Sequence, residues 1–130
     1  MAYYVDASAL VKLVVREPQT VALRKWLRAD ARVVLSSDVA RTELIRAARR
    51  LDPRLATGAR RVLEAFALIA LDTATYERAA LLDPDILRSL DALHIAAALS
   101  LGDDLEGVVT YDERMAAAAE ANGIPTVAPS

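Results

Sequence analysis

Residues 108–127 read VVTYDERMAAAAEANGIPTV. The apolar run Val108 to Tyr111 predicts a strand that ends at Asp112, and Glu113 to Asn122 follows as an alanine-rich helix. Gly123 falls where a left-handed C-cap is expected, and Pro125 two residues on prevents the helix from continuing. Thr126 and Val127 then predict a small last strand. Strands separated by a helix argue for parallel pairing, because parallel neighbours need a long crossover connection.

The same order of signals recurs at the other end. Tyr3 to Val5 predicts a strand ending at Asp6, with a helix starting at once. Val33 to Leu35 and Leu68 to Leu71 predict two further strands. Helical spacing covers Gln19 to Ala29, Asp38 to Leu51, Arg54 to Phe66, Ala74 to Leu82 and Asp91 to Leu101. In the second of these, Ala40, Leu44, Ala47, Ala48 and Leu51 form one apolar stripe. Strands separated by helices predict an α/β fold with a central, mostly parallel sheet of about four to five short strands and helices on both faces. No repeat, linker or low-complexity tract interrupts the chain, so residues 1–130 read as a single domain.

Composition excludes several classes. The chain has 130 residues, 55% hydrophobic and 26% charged, which describes a globular protein rather than a disordered one. It has no cysteine and one histidine, His94, so a disulfide framework, a thiolate zinc site and a multi-histidine metal site are all excluded within the chain. MAYYVDAS lacks the basic stretch and apolar run of a secretory signal. The longest strongly apolar run, Ala92 to Gly102, falls short of a membrane span. A cytoplasmic location and no membrane association are expected. The net charge of −2 does not advertise a nucleic-acid partner. It conceals a segment, Arg41 to Arg61, with seven arginines against two acids.

Ligands of open parallel sheets bind beyond the carboxyl ends of the strands. Asp6 and Asp112 each end a predicted strand, Asp91 opens the helix DALHIAAAL, and Glu43 lies early in DVARTELIRAARR. If those helix starts share one edge, four carboxylates meet in one pocket. Such a cluster must take up protons or a cation, and oxygen-only ligation selects magnesium or manganese. Phosphodiester hydrolysis is the chemistry such a site serves best. Each residue also has a purely structural alternative. The three aspartates are good helix N-caps, and Glu43 has Arg46 three residues on as an ion-pair partner. Their joint placement favours the metal site.

Taken together, Asp6-x-Ser8 after the first strand, Glu43 in SSDVARTELIRA, Asp91 in LRSLDALHIAAAL and Asp112 in VVTYDERMAAAAEANGIPTVAP resemble a PIN domain, and more narrowly a VapC-type toxin of a type II toxin–antitoxin pair. The resemblance runs from Met1 to about Pro129. It implies an α/β/α sandwich and a magnesium-dependent endoribonuclease, with manganese as a substitute. It also implies inhibition of translation or growth, and a VapB-like antitoxin as partner. By the match Asp6, Glu43, Asp91 and Asp112 are the catalytic acids, and Asp6, Asp91 and Asp112 the metal ligands. Glu43 takes a second metal or orients the attacking water. Ser8 and Thr110 are read as hydroxyls that steady the carboxylates, with capping of the adjacent turns as the alternative.

The implied chemistry is in-line hydrolysis leaving a 5′-phosphate and a 3′-hydroxyl. His94 is the one candidate base for a metal-free route, and a buried, hydrogen-bonded histidine is the favoured reading. Arg46, Arg49 and Arg50 on one helix face, with Arg88 ahead of Asp91, are candidate RNA contacts. A solvated arginine face accounts for the first three equally well. The apolar run around Val11 to Val15 suits a homodimer or a partner groove as well as a core. Two rivals remain. A non-catalytic PIN-type module would bind RNA or protein without cutting. A phospho-acceptor receiver domain would need a lysine near the end of a late strand, but the two lysines, Lys12 and Lys25, both come early.

Overall fold

The computed structural model describes residues 1–30 and 32–130. In chain order the elements are β1 (Ala2–Val5), α1 (Ala7–Val14), α2 (Thr20–Arg28), β2 (Val33–Ser37), α3 (Val39–Leu51), α4 (Ala56–Ala65), β3 (Ala67–Ile69), α5 (Thr73–Ala80), α6 (Ser89–Leu99), β4 (Leu105–Val109), α7 (Glu113–Ala121) and β5 (Thr126–Val127). The five strands form one sheet in the order β3-β2-β1-β4-β5, and every neighbouring pair is parallel.

Alternation along the strands divides the core in two. Tyr3, Val5, Val34 and Val109 face a cluster built on Leu10, Leu23, Leu44 and Leu63 from α1 to α4. Tyr4, Leu35 and Val108 face Ile95, Ala98, Met115 and Ala119 from α6 and α7. Successive side chains of a strand point to opposite faces, so a sheet apolar on both faces requires helices on both. The architecture is therefore the expected α/β/α sandwich, with the sheet wholly rather than mostly parallel.

Several boundaries differ from the sequence reading. The third strand is Ala67–Ile69 rather than Leu68 to Leu71, because its pairing with β2 runs from Leu35 opposite Ala67 to Ser37 opposite Ile69, where β2 ends. The fourth is Leu105–Val109, so Thr110 to Asp112 form the loop beyond it. The helix expected from Arg54 opens as a single tighter turn, Pro53–Leu55, before α4. Gly123 does adopt a left-handed conformation, φ 75°, and Val11, Leu13 and Val14 pack on the core.

The strand order disposes of the receiver rival, whose sheet runs 2-1-3-4-5. Here the chain moves outward from β1 through β2 to β3, then crosses to β4 and β5 on the other side. The crossover direction thus reverses between β1 and β4, and this is where a doubly wound sheet opens a crevice for a ligand. Asp6 follows β1 and Thr110 follows β4.

Candidate active site

Asp6 closes β1 and caps α1. Its Oδ1 accepts from the Ala9 N–H at 3.1 Å and from Ser8 Oγ at 2.7 Å. Its Oδ2 accepts from Thr110 Oγ1 at 2.6 Å. Both hydroxyls also accept: Ser8 Oγ from the Tyr111 N–H at 2.9 Å and Thr110 Oγ1 from the Asp112 N–H at 3.1 Å. One buried carboxylate therefore ties the end of β1 to the loop beyond β4. Burial, at 3% exposure, raises the Asp6 carboxyl above its ordinary range, against the lowering effect of Thr110, Ser8, the His94 charge and the Ala9 N–H.

Asp112 caps α7, accepting from the Arg114 N–H at 2.9 Å. Asp91 behaves differently from the cap its position suggested. α6 begins at Ser89, so Asp91 lies in its first turn, and Arg88 holds the cap position without a side-chain bond. Among the described residues the Asp91 carboxylate accepts no hydrogen bond. Desolvation raises its carboxyl, and the charges of Asp112 and Glu43 add to this against Arg114 and His94.

Glu43 departs from the ion pair with Arg46 that its spacing allowed. Its Oε1 lies 2.5 Å from His94 Nε2, and His94 Nδ1 lies 2.6 Å from the Tyr4 hydroxyl. The Tyr4 hydroxyl is 2.6 Å from Ser37 Oγ. A carboxylate only accepts, so Nε2–H donates to Glu43. Nδ1 shares one hydrogen bond with the Tyr4 hydroxyl, which shares another with Ser37 Oγ. Burial pushes the Tyr4 phenol up, which keeps it protonated. His94 is buried and hydrogen-bonded as expected, at 2% exposure. Its attachment to Glu43 was not legible in the sequence, where fifty-one positions separate the two.

All four acids line one pocket of about 550 Å³, together with Ser8, Lys12, Glu17, Arg46, Arg50, His94 and Tyr111. The arginine face divides. Arg46 and Arg50, one turn apart on α3, enter this pocket, while Arg49 shares only an adjoining groove with them and Pro53. Arg88 lies on a separate apolar groove with Ile86 and Leu87, which Asp91 borders. Lys12, Glu17 and Tyr111 were not anticipated. The available signal was that Lys12, one of only two lysines, follows Ser8 by one helical turn.

The donor set fits a hard divalent cation, since it is oxygen-only and, beyond desolvation, the charges of Asp112 and Glu43 bear on the Asp91 carboxyl. Among the described residues no three acidic or histidine side chains converge as a preformed cage. Magnesium does not require one. It keeps several waters and takes one or two carboxylates plus substrate oxygens.

A family model described as PIN domain matches residues 3–121. The chain is 43% identical over 129 residues to Ribonuclease VapC46 of Mycobacterium tuberculosis, covering 99% of this chain and 98% of that protein. It is 36% identical over 130 residues to Ribonuclease VapC47 of the same species, covering 97% and 96%. Two solved structures share the fold. One is M. tuberculosis VapC20, described as a Sarcin-Ricin loop cleaving toxin, with a TM-score of 0.79, 18% identity and coverage of 98% and 100%. The other is a toxin–antitoxin complex from Klebsiella pneumoniae, with a TM-score of 0.72, 23% identity and coverage of 100% and 98%. The domain match along nearly the whole chain, and the identity to these ribonucleases over nearly their whole length, place the chain in the PIN-domain family, among its VapC members.

Proposed function

We propose that this protein is a divalent-metal-dependent endoribonuclease, the toxin of a toxin–antitoxin pair, and that Asp6, Glu43, Asp91 and Asp112 form its catalytic site. The observation that carries this is the meeting of four carboxylates from separate elements in one pocket at the switch point of the sheet. Asp91 weighs most among them. It caps nothing and accepts no bond among the described residues, so no structural task accounts for a carboxylate held beside Asp112 and Glu43.

Asp6, Asp91 and Asp112 would hold magnesium, or manganese in its place, which when bound supplies Lewis-acid charge opposite the phosphodiester. Ser8 and Thr110 restrict Asp6 to one rotamer by donating to both of its oxygens. His94 holds Oε1 of Glu43 and leaves Oε2 to orient the attacking water and accept its proton. In-line attack on phosphorus then expels the 3′-oxygen and leaves a 5′-phosphate. Arg46 and Arg50 bring positive charge to the acid-lined pocket and hold the RNA backbone there.

The partner in this reading is a VapB-like antitoxin that occupies the pocket. Related folds come from a toxin–antitoxin complex and from VapBC2 of Rickettsia felis bound to a DNA fragment from its promoter. The protein acts in the cytoplasm as a homodimer, with Leu81 and Ile86 offering exposed apolar surface to a second copy. Among the described residues no helix is long and apolar enough to cross a membrane.

The test is incubation of total cellular RNA with purified protein in magnesium, in manganese and in chelator, beside an Asp6→Asn preparation. Discrete cuts that need the metal and vanish in the variant are expected. Intact RNA with the folded, antitoxin-free protein would overturn the assignment in favour of the binding module.

A further inference from the structure

The pocket contains one ammonium group without a role in the chemistry above. Lys12 is only 9% exposed and lies one helical turn beyond Ser8 on α1, lining the same pocket as the four acids. Its Nζ donates to Gln19 Oε1 at 3.0 Å and sits 4.7 Å from the centre of the Tyr111 ring. Glu17 Oε1 stands at 3.7 Å, an ion pair beyond hydrogen-bond length. Among the described residues Lys12 pairs with none of the four pocket acids, so its place is not explained by neutralising them.

An ammonium carries three N–H donors. Gln19 takes one and the Tyr111 ring faces the group, while Glu17 is too distant to satisfy another. Burying a lysine is costly unless its charge is well paired. Here the stem is packed, the head is anchored, and donor capacity is left over in a pocket that also receives Arg46 and Arg50. A phosphate oxygen completes such a group with a charge-assisted hydrogen bond.

We propose that Lys12 binds a backbone phosphate of the RNA substrate, with Gln19 and Tyr111 fixing the ammonium and Glu17 as the weak partner it exchanges for RNA. This rests on the ribonuclease reading. Glu17 holds the cation in the free protein, and its carboxylate opposes phosphate entry.

The experiment measures binding of a single-stranded oligoribonucleotide by fluorescence anisotropy in magnesium across a salt series, in an Asp6→Asn background where the RNA survives. Lys12→Met is expected to lower the slope of log affinity against log salt by about 0.7, and to weaken binding about fivefold at ~0.1 M salt. Lys12→Arg should keep the slope. Glu17→Gln should tighten binding about twofold, since it removes a part-exposed carboxylate that competes for the ammonium. With Asp6 intact, Lys12→Met should raise KM while kcat changes by less than about twofold.

An unchanged slope in folded Lys12→Met, or a fall in kcat at constant KM, would overturn the assignment and leave Lys12 supporting the carboxylates. If Lys12→Met does not fold, Glu17→Gln decides, and no tightening overturns it. Should the parent protein neither bind nor cut RNA, the ribonuclease reading falls and Lys12 with it. A parent that binds and cuts beside an indifferent Lys12→Met variant removes the Lys12 assignment alone.

Discussion

Both ring nitrogens of His94 are engaged within the fold, one by Tyr4 and one by Glu43, so the imidazole positions the glutamate and is not free to reach a ribose hydroxyl. Replacing it with leucine leaves Glu43 unheld and should lower kcat about 10–100-fold, the usual effect of losing a group that orients a catalytic side chain. Glutamine can still donate toward Oε1, and His94→Gln should recover part of that loss while His94→Leu does not. Steady-state cleavage of one defined RNA compares them. Asp91 gives a prediction about stability. Its carboxyl is raised by desolvation and by Asp112 and Glu43. A raised folded-state value means the fold favours the protonated form. Metal-free stability is therefore fullest below the ordinary carboxylate range and is lost as pH climbs through the raised value. Asp91→Asn removes the charge without breaking any hydrogen bond to a described residue. It should raise the metal-free melting temperature at neutral pH by about 2–4 °C and flatten its dependence on pH. Thermal melts in chelator between acid and neutral pH check both.

At the scale of elements, the site depends on how closely β1 and β4 approach. On its other side β4 packs closely against the residue before β5, and Gly107 makes that approach possible. A Cβ there would lie 2.9 Å from the Pro125 carbonyl oxygen and 3.3 Å from the Tyr3 ring. The Val108 N–H donates to that same carbonyl at 2.9 Å. Gly107→Ala should cost about 1–3 kcal/mol, because the obstacle is backbone between paired strands, and denaturant unfolding measures it. Beyond the strands, Thr110 joins the two ends by donating to Asp6 and accepting from the Asp112 N–H. Thr110→Val keeps the shape and removes both bonds. Cleavage should fall about 10–100-fold, a loss that Thr110→Ser largely avoids, since serine keeps the hydroxyl. The caps were legible because Asp6 and Asp112 follow apolar runs and each is followed by helix formers. The start of α6 was placed at Asp91 because the sequence does not mark where the helix begins, two residues earlier at Ser89.

For the whole molecule, the reversal of crossover direction between β1 and β4 opens the crevice that the four acids line. The acids gathered there repel one another, so a cation that binds only the folded pocket should stabilise the entire domain. Magnesium at about a hundred times its dissociation constant would add about 2.7 kcal/mol. The expected result is a melting temperature that rises with magnesium, returns with chelator, and ceases to respond in Asp91→Asn and Asp112→Asn. A response unchanged in both variants would place the ion elsewhere.

The sequence by itself determined the fold class, because short continuous apolar runs alternating with helical stripes leave parallel pairing as the simple connection. It also pointed to four acids that line one pocket, because apolar runs ending in Asp6 and Asp112 are readable from local signals. Tertiary structure decided which groups each acid meets. Glu43 finds His94 and Lys12 finds Gln19, while Arg46 and Arg50 part from Arg49. These pairings depend on the packing of α1, α3 and α6 and on the approach of β1 to β4. Side-chain partners across such distances are set by three-dimensional geometry, which local periodicity does not encode.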